Sequence, residues 1–310
     1  MDRIANAFKN KPIFMPYFPL GYPDLETSMA VMEALAKNGA DLIEVGLSFS
    51  DPLADGPVVQ KATQVALEKG ITVSKSLQAV KELRNRGVDI PLVLMGYYNP
   101  MLAYGLEKFV CDAIDTGADG FIVPDLPPEE ADEFTSALSG VATGRVDGVR
   151  PSYRDQKNAV EAEMDDSNRP STTASSGSAS AHEVPVPLRE DGGLPLIPMI
   201  APTTPNERIA MIARNAKGFI YLVSVTGVTG ERKSISEGLG ELIQRVKQYS
   251  SVPVCVGFGI STPEQAKEVG ASADGVIVGS ACVKTIGGSE KPVEAAKQLA
   301  TAFHKALRSE

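Results

Sequence analysis

The chain has 310 residues, is 43% hydrophobic and carries a formal net charge of −9; it can bury a large core, and it lacks the clustered Lys and Arg that a nucleic-acid surface needs. Cys111, Cys255 and Cys282 are odd in number and far apart, so neither a disulfide framework nor a zinc site is expected, and a reducing cytoplasm fits. The opening residues MDRIANAFKN have no apolar stretch behind a basic start and no window approaches a membrane span, so the expectation is a cytoplasmic chain that is not exported.

The first short apolar run is PIFMPYF at 12–18. It is followed by DLETSMAVMEALAKNGA, where Asp24 suits an N-cap, Met29, Met32 and Leu35 share one face, and Gly39 suits a stop. The second run, DLIEVGL at 41–47, leads to the helical pattern SKSLQAVKELRNRG. The third, PLVLMGY at 91–97, leads to GLEKFVCDAIDTG, and the fourth, GFIVP at 120–124, to PEEADEFTSAL. After a long gap come PLIPMIA at 195–201 with PNERIAMIARNAKG, GFIYLVS at 218–224 with SEGLGELIQRVKQY, PVCVGF at 253–258 with TPEQAKEVGA, and GVIVGS at 275–280 with KPVEAAKQLATAFHKAL. Most of the runs are β-branched or aromatic and too short for helices. Strict strand–helix alternation predicts a parallel sheet with helices outside it. An open doubly wound sheet would be expected to carry a Gly-x-Gly-x-x-Gly turn after its first strand; here that turn is LGYPD, so the reading is an α/β protein of the (β/α)8 TIM-barrel class.

One stretch departs from the pattern. The fourth helix is expected to end near Leu138 and the fifth strand to start at Leu194, where such a connection normally needs roughly two to six residues. At 171–180 the sequence STTASSGSAS is Ser or Thr at seven positions of ten, which is too polar to offset the cost of ordering. Residues 141–192 therefore read as a low-complexity, disordered insertion at the bottom face, within a single barrel domain over 1–310.

In a barrel, chemistry sits at the C-terminal strand ends and in the loops that follow. Alternation puts Leu42, Glu44 and Gly46 on one face of the second strand. If that face points inward, Glu44 looks toward the mouth with a pKa raised by desolvation, suited to proton transfer; pairing with a barrel lysine is the structural alternative. Asp51 and Asp55 lie in the loop above, where such residues commonly serve as turn formers. Glycines in VTGVTGERKS, VGFGIS and VGSA follow strands six, seven and eight. Each motif alone also suits plain turn chemistry, but three sets at the same end of consecutive strands, beside helix N-termini, point to a phosphate cup from Gly230, Gly257, Gly259, Gly279 and Ser280.

With these motifs assembled, the sequence resembles the tryptophan synthase α-subunit family. The resemblance is carried by FSDPLADGP at 49–57, MPYFPLGYPD before it, YYNPMLAYG at 97–105, GFIVPDLPPEE at 120–130, YLVSVTGVTG at 221–230, VGFGIS at 256–261 and VIVGSA at 276–281. It implies retro-aldol cleavage of indole-3-glycerol phosphate to indole and glyceraldehyde 3-phosphate. Glu44 then shuttles protons, and Asp55 stabilises charge on the indole nitrogen. By the same resemblance, Thr229 closes the site over Asp55; Tyr17, Tyr97, Tyr221 and Phe258 contribute to substrate binding; Gly230, Gly259, Gly279 and Ser280 bind phosphate. No metal and no cofactor on this chain are implied. The implied partner is a pyridoxal-phosphate β subunit in an αββα heterotetramer, met by loops around Asp51 and Asn99. Ser48 stands where the family commonly has proline, which frees the backbone of that loop. A stand-alone lyase releasing free indole and a weakly catalytic activator of the β partner are the alternative functions.

Overall fold

The structure, a computed structural model, describes residues 2–142, 193–223, 236–257 and 259–309. Eight strands, β1 (Ile13–Pro19), β2 (Ile43–Gly46), β3 (Leu92–Met95), β4 (Gly120–Ile122), β5 (Met199–Ile200), β6 (Ile220–Val223), β7 (Val254–Gly257) and β8 (Gly275–Val278), form one parallel sheet in the order β4-β3-β2-β1-β8-β7-β6-β5. Its two ends meet through a bridge between Phe121 and Leu196: Phe121 N–H donates to the Pro195 carbonyl at 2.9 Å and Ile197 N–H to the Phe121 carbonyl at 2.8 Å. The sheet is thus a closed (β/α)8 barrel, as the alternation of runs and helices implies.

Side chains alternate along each strand, so every second residue faces the barrel axis. Ile13, Met15, Leu42, Val93, Ile122, Ile197, Phe219, Cys255 and Ile277 fill the interior, with Ile4 and Phe8 from the N-terminal segment packed against them. Phe14, Ile43, Val45, Leu92 and Leu94 point the other way into the layer beneath the helices. The helix Leu25–Lys37 starts as expected: the Asp24 carboxylate accepts the Thr27 N–H at 2.8 Å, and Met29, Met32 and Leu35 are buried. Gly39 follows at φ +118, a conformation that disfavours a side chain, and a Cβ there would run into the His304 ring.

A device at the bottom of the barrel repeats in three places. Asp41, Asp119 and Asp274, each preceded by Ala, stand just before the even strands β2, β4 and β8. Each donates its N–H to the carbonyl of one residue on the neighbouring odd strand and accepts that residue's N–H on its carboxylate. The paired residues are Phe14 at 2.8 Å, Leu92 at 2.9 Å and Val254 at 2.9 Å. Cations complete the charge: Arg308 at Asp41, Arg84 and Arg3 at Asp119, Lys11 and Lys247 at Asp274.

Four corrections to the sequence reading concern helices. Pro57–Glu68, Tyr98–Tyr104 and Ser280–Gly287 are helices beyond the eight helical segments that the spacing marks. The fourth barrel helix, Asp132–Ala142, runs past Leu138, so Val141 and Ala142 belong to it and not to the insertion. The remainder of the 141–192 expectation lies outside the described residues. Among the described residues no helix is long and apolar enough to cross a membrane.

Candidate active site

Glu44 faces the barrel axis near the C-terminal end of β2, between Tyr17 of β1 and Val93 of β3 in register. It is 1% exposed, and its Oε1 has no hydrogen-bond partner among the described residues. A carboxylate in such a place has exchanged water for nothing, so desolvation raises its pKa to about 8. At neutral pH the side chain is mostly protonated. Among the described residues no lysine pairs with Glu44.

Asp55 approaches the same space from the loop between β2 and the helix Pro57–Glu68. Desolvation raises its pKa to about 6, against a hydrogen bond from the Tyr97 hydroxyl that lowers it. That hydroxyl also accepts the Ala54 N–H at 2.9 Å, and the Tyr97 ring packs on Phe49 at 5.5 Å. Tyr97 therefore ties the loop down and holds Asp55. The two carboxyls are driven apart in pKa: one is an acid at neutral pH, the other mainly an anion, as a site for paired acid and electrostatic work requires.

Two tyrosines flank the carboxyls. A Cβ on Gly46 would lie 2.7 Å from Tyr17 Cζ, and one on Gly257 would lie 2.6 Å from Tyr221 Cζ, so each phenol rests on a glycine of the next strand. Burial, then the charges of Asp55 and Glu44, raise the Tyr17 pKa well above its ordinary value. Burial, then Glu44 and Asp55, do the same for Tyr221. Gly257 is therefore a seat for Tyr221 on the inward face of β7. The sequence reading had put it in the phosphate cup.

The remaining expected residues divide. Gly259 has φ +84, and Gly279 precedes the helix Ser280–Gly287, whose first residue Ser280 is exposed at the same end of the barrel. A helix N-terminus there offers backbone N–H groups to an anion. Thr229, Gly230 and Phe258 lie outside the described residues. Asp51, in the loop after β2 and hydrogen-bonded by Ser50 at 2.5 Å, and Asn99, in the helix Tyr98–Tyr104 after β3, are exposed. Near them in sequence, Leu53 is 93% exposed and Leu102 is also exposed. Sequence reasoning missed these two leucines, the glycine seats and the buried Ser48 hydroxyl, which has no hydrogen-bond partner among the described residues. An apolar residue between Asp51 and Asp55 was a legible signal for the first; the glycine seats leave no local signal.

The family model described as "Tryptophan synthase alpha chain" matches residues 4–163 and 180–309. The chain is 41% identical over 288 residues to the tryptophan synthase alpha chain of Chloroflexus aggregans, covering 91% of this chain and 89% of that one. It is 37% identical over 285 residues to the tryptophan synthase of Saccharomyces cerevisiae, covering 91% of this chain and 33% of the yeast protein. Among solved structures, a tryptophan synthase from M. tuberculosis matches at a TM-score of 0.75 with 30% identity, covering 100% of both chains. A tryptophan synthase alpha chain from Legionella pneumophila matches at 0.74 with 31% identity, covering 99% of this chain and 97% of that one.

Proposed function

This chain belongs to the tryptophan synthase alpha chain family, and from that premise we propose that Glu44 and Asp55 carry out retro-aldol cleavage of indole-3-glycerol phosphate to indole and D-glyceraldehyde 3-phosphate. The observation that supports it most is the buried carboxyl of Glu44, whose Oε1 has no hydrogen-bond partner among the described residues and whose pKa is raised to about 8, in the same site as a loop-held Asp55. Cleavage needs a proton on the indole ring carbon and the loss of one from the side-chain hydroxyl. Glu44 begins as the acid, protonates the ring carbon, and as a carboxylate takes the hydroxyl proton. Positive charge on the ring nitrogen is offset by Asp55, and exclusion of water strengthens that attraction. Tyr17 and Tyr221 pack on the indole, and Tyr97 acts through its hold on Asp55.

The phosphate sits on Gly259, Gly279 and the N–H groups opening the Ser280 helix, with Gly230 from the loop after β6. Thr229 in that loop and Phe258 at the end of β7 complete the pocket. The chain uses no cofactor of its own; pyridoxal phosphate belongs to the β partner, in an αββα heterotetramer in the cytoplasm. The partner meets the loop of Asp51 and the helix of Asn99, where exposed Leu53 and Leu102 offer apolar area that water does not favour. The test is turnover of indole-3-glycerol phosphate by the isolated chain, repeated with a β subunit added. Measurable cleavage alone that rises with the partner supports the reading; no cleavage under either condition overturns it.

The pH dependence follows with its sign. The acid form of Glu44 is lost as pH rises through about 8, and the ionised form of Asp55 is lost as pH falls through about 6. The expected kcat/KM profile is a bell with its plateau between those limits, the limbs belonging to the pair and not to either residue alone. A profile still rising above about pH 9 would contradict the acid role of Glu44.

A further inference from the structure

The two carboxyls leave one need unmet. When the side-chain hydroxyl of the substrate loses its proton, its oxygen must become a carbonyl while the carbon–carbon bond breaks, and a carboxylate beside it can only accept hydrogen bonds. A donor aimed at that oxygen is required if the developing charge is to be stabilised. Tyr97 already donates to Asp55.

Tyr17 occupies the place such a donor needs. It is paired in register with Glu44, and its Cβ lies 3.8 Å from where a Cβ on Gly279 would stand, while its phenol crosses β2 above Glu44 to rest on Gly46. Gly46 is two residues beyond Glu44 on the same face, about 6.6 Å along the strand. The hydroxyl is therefore on the substrate side of the Glu44 carboxyl and below the loop that brings Asp55. Both carboxyls act on it electrostatically, Asp55 more strongly than Glu44. A glycine at 46 is what leaves room for the phenol, since any side chain there would meet Cε2 at 2.8 Å.

We propose that the Tyr17 hydroxyl is a further catalytic group: it donates a hydrogen bond to the substrate oxygen from which Glu44 removes the proton, holding that oxygen between phenol and carboxylate as it becomes the aldehyde carbonyl. The proton leaves the substrate oxygen for Glu44, the O–H electron pair forms the C=O bond, and the pair of the breaking C–C bond returns to the protonated indole ring, neutralising its nitrogen. Tyr17 keeps its own proton throughout. Its raised pKa keeps it a donor across the working pH range. The proposal rests on the Glu44 and Asp55 reading above.

The experiment is Tyr17→Phe, which keeps the ring on Gly46 and removes only the oxygen. Steady-state cleavage of indole-3-glycerol phosphate is measured beside the affinity for 3-(indol-3-yl)propyl phosphate, an analogue with no side-chain hydroxyl. The expected result is a kcat lower by about 10²-fold, the scale of losing one donor to a developing oxyanion, with analogue affinity unchanged. A loss of less than about tenfold, or a parallel loss of analogue affinity that marks a damaged pocket, overturns the proposal. Glu44→Gln is run alongside: if it retains native kcat, the two-carboxylate reading fails as well, whereas an inactive Glu44→Gln beside a fully active Tyr17→Phe sinks only the role of Tyr17.

Discussion

Glu44→Gln is expected to lower kcat for indole-3-glycerol phosphate cleavage by about 10²–10⁴-fold while KM stays near that of the native chain, because the amide keeps the shape of the side chain and removes the proton. The same substitution is expected to make the protein more stable at alkaline pH. The Glu44 pKa is raised from 4.5 to about 8 by desolvation alone. Between those values the folded protein holds a proton that the unfolded chain has released, so stability falls as pH rises and is lost through about 8. The amide has no such penalty. The gap in unfolding free energy between Glu44→Gln and the native chain should therefore widen by about 3 kcal/mol from pH 5.5 to pH 8.5. Urea unfolding of both proteins at the two pH values measures it. A gap that does not change with pH would mean that Glu44 is hydrated or paired in solution, and near-native kcat in the variant would make the glutamate structural. Both effects have one origin: the desolvation that suits Glu44 to proton transfer is destabilising, a trade common at active sites.

The second large effect is at the opposite end of the barrel. Asp119 is 0% exposed and binds Arg84 at 2.5 Å, Arg3 at 3.1 Å and the Leu92 N–H at 2.9 Å. Arg84 also donates to the Val88 and Ile90 carbonyls and, through Nε, to the Gly117 carbonyl at 3.0 Å. Asp119→Ala removes the anion from this cluster, leaving the largely buried Arg84 guanidinium and a buried N–H without that partner. Breaking a buried ion pair from one side costs about 3–5 kcal/mol. Urea unfolding should register a loss of that size, larger than for Asp41→Ala or Asp274→Ala, whose carboxylates are partly hydrated. The folded fraction should keep its kcat, since the residue is at the N-terminal end of β4 and the chemistry at the other. A loss under about 1 kcal/mol would show that the chain repacks around Arg84 or hydrates it.

Much of this arrangement could be read from the sequence because its causes are local. Eight apolar runs alternating with helical spacing determine a parallel sheet with helices outside it, the missing Gly-x-Gly-x-x-Gly turn favours the barrel, and the alternation puts Leu42, Glu44 and Gly46 on one face, because a strand has a period of two whatever surrounds it. The carboxylates at the bottom were equally legible in GADL, GADG and SADG, though their hydrogen bonds back to the preceding strand were not. The helix Pro57–Glu68 had local signals too: proline at its first position, after the cap Gly56, and Val59, Ala62, Thr63 and Ala66 on one buried face.

What only the tertiary structure decided are relations between residues far apart in the chain. Tyr97 reaches Asp55 and Ala54 across more than forty residues, and the Phe121–Leu196 bridge closes the barrel. Tyr17 lies on Gly46, and Tyr221 on Gly257, so a glycine that the sequence merely places on the face of Glu44 and one that reads as phosphate chemistry both serve as space for phenols. No period encodes these contacts, since each depends on where neighbouring strands sit after the sheet has curled. The same holds for the pKa of Glu44. The sequence supplies a carboxyl on an apolar strand, but its shift to about 8 arises because eight strands converge and bury it, with one oxygen that no described neighbour satisfies.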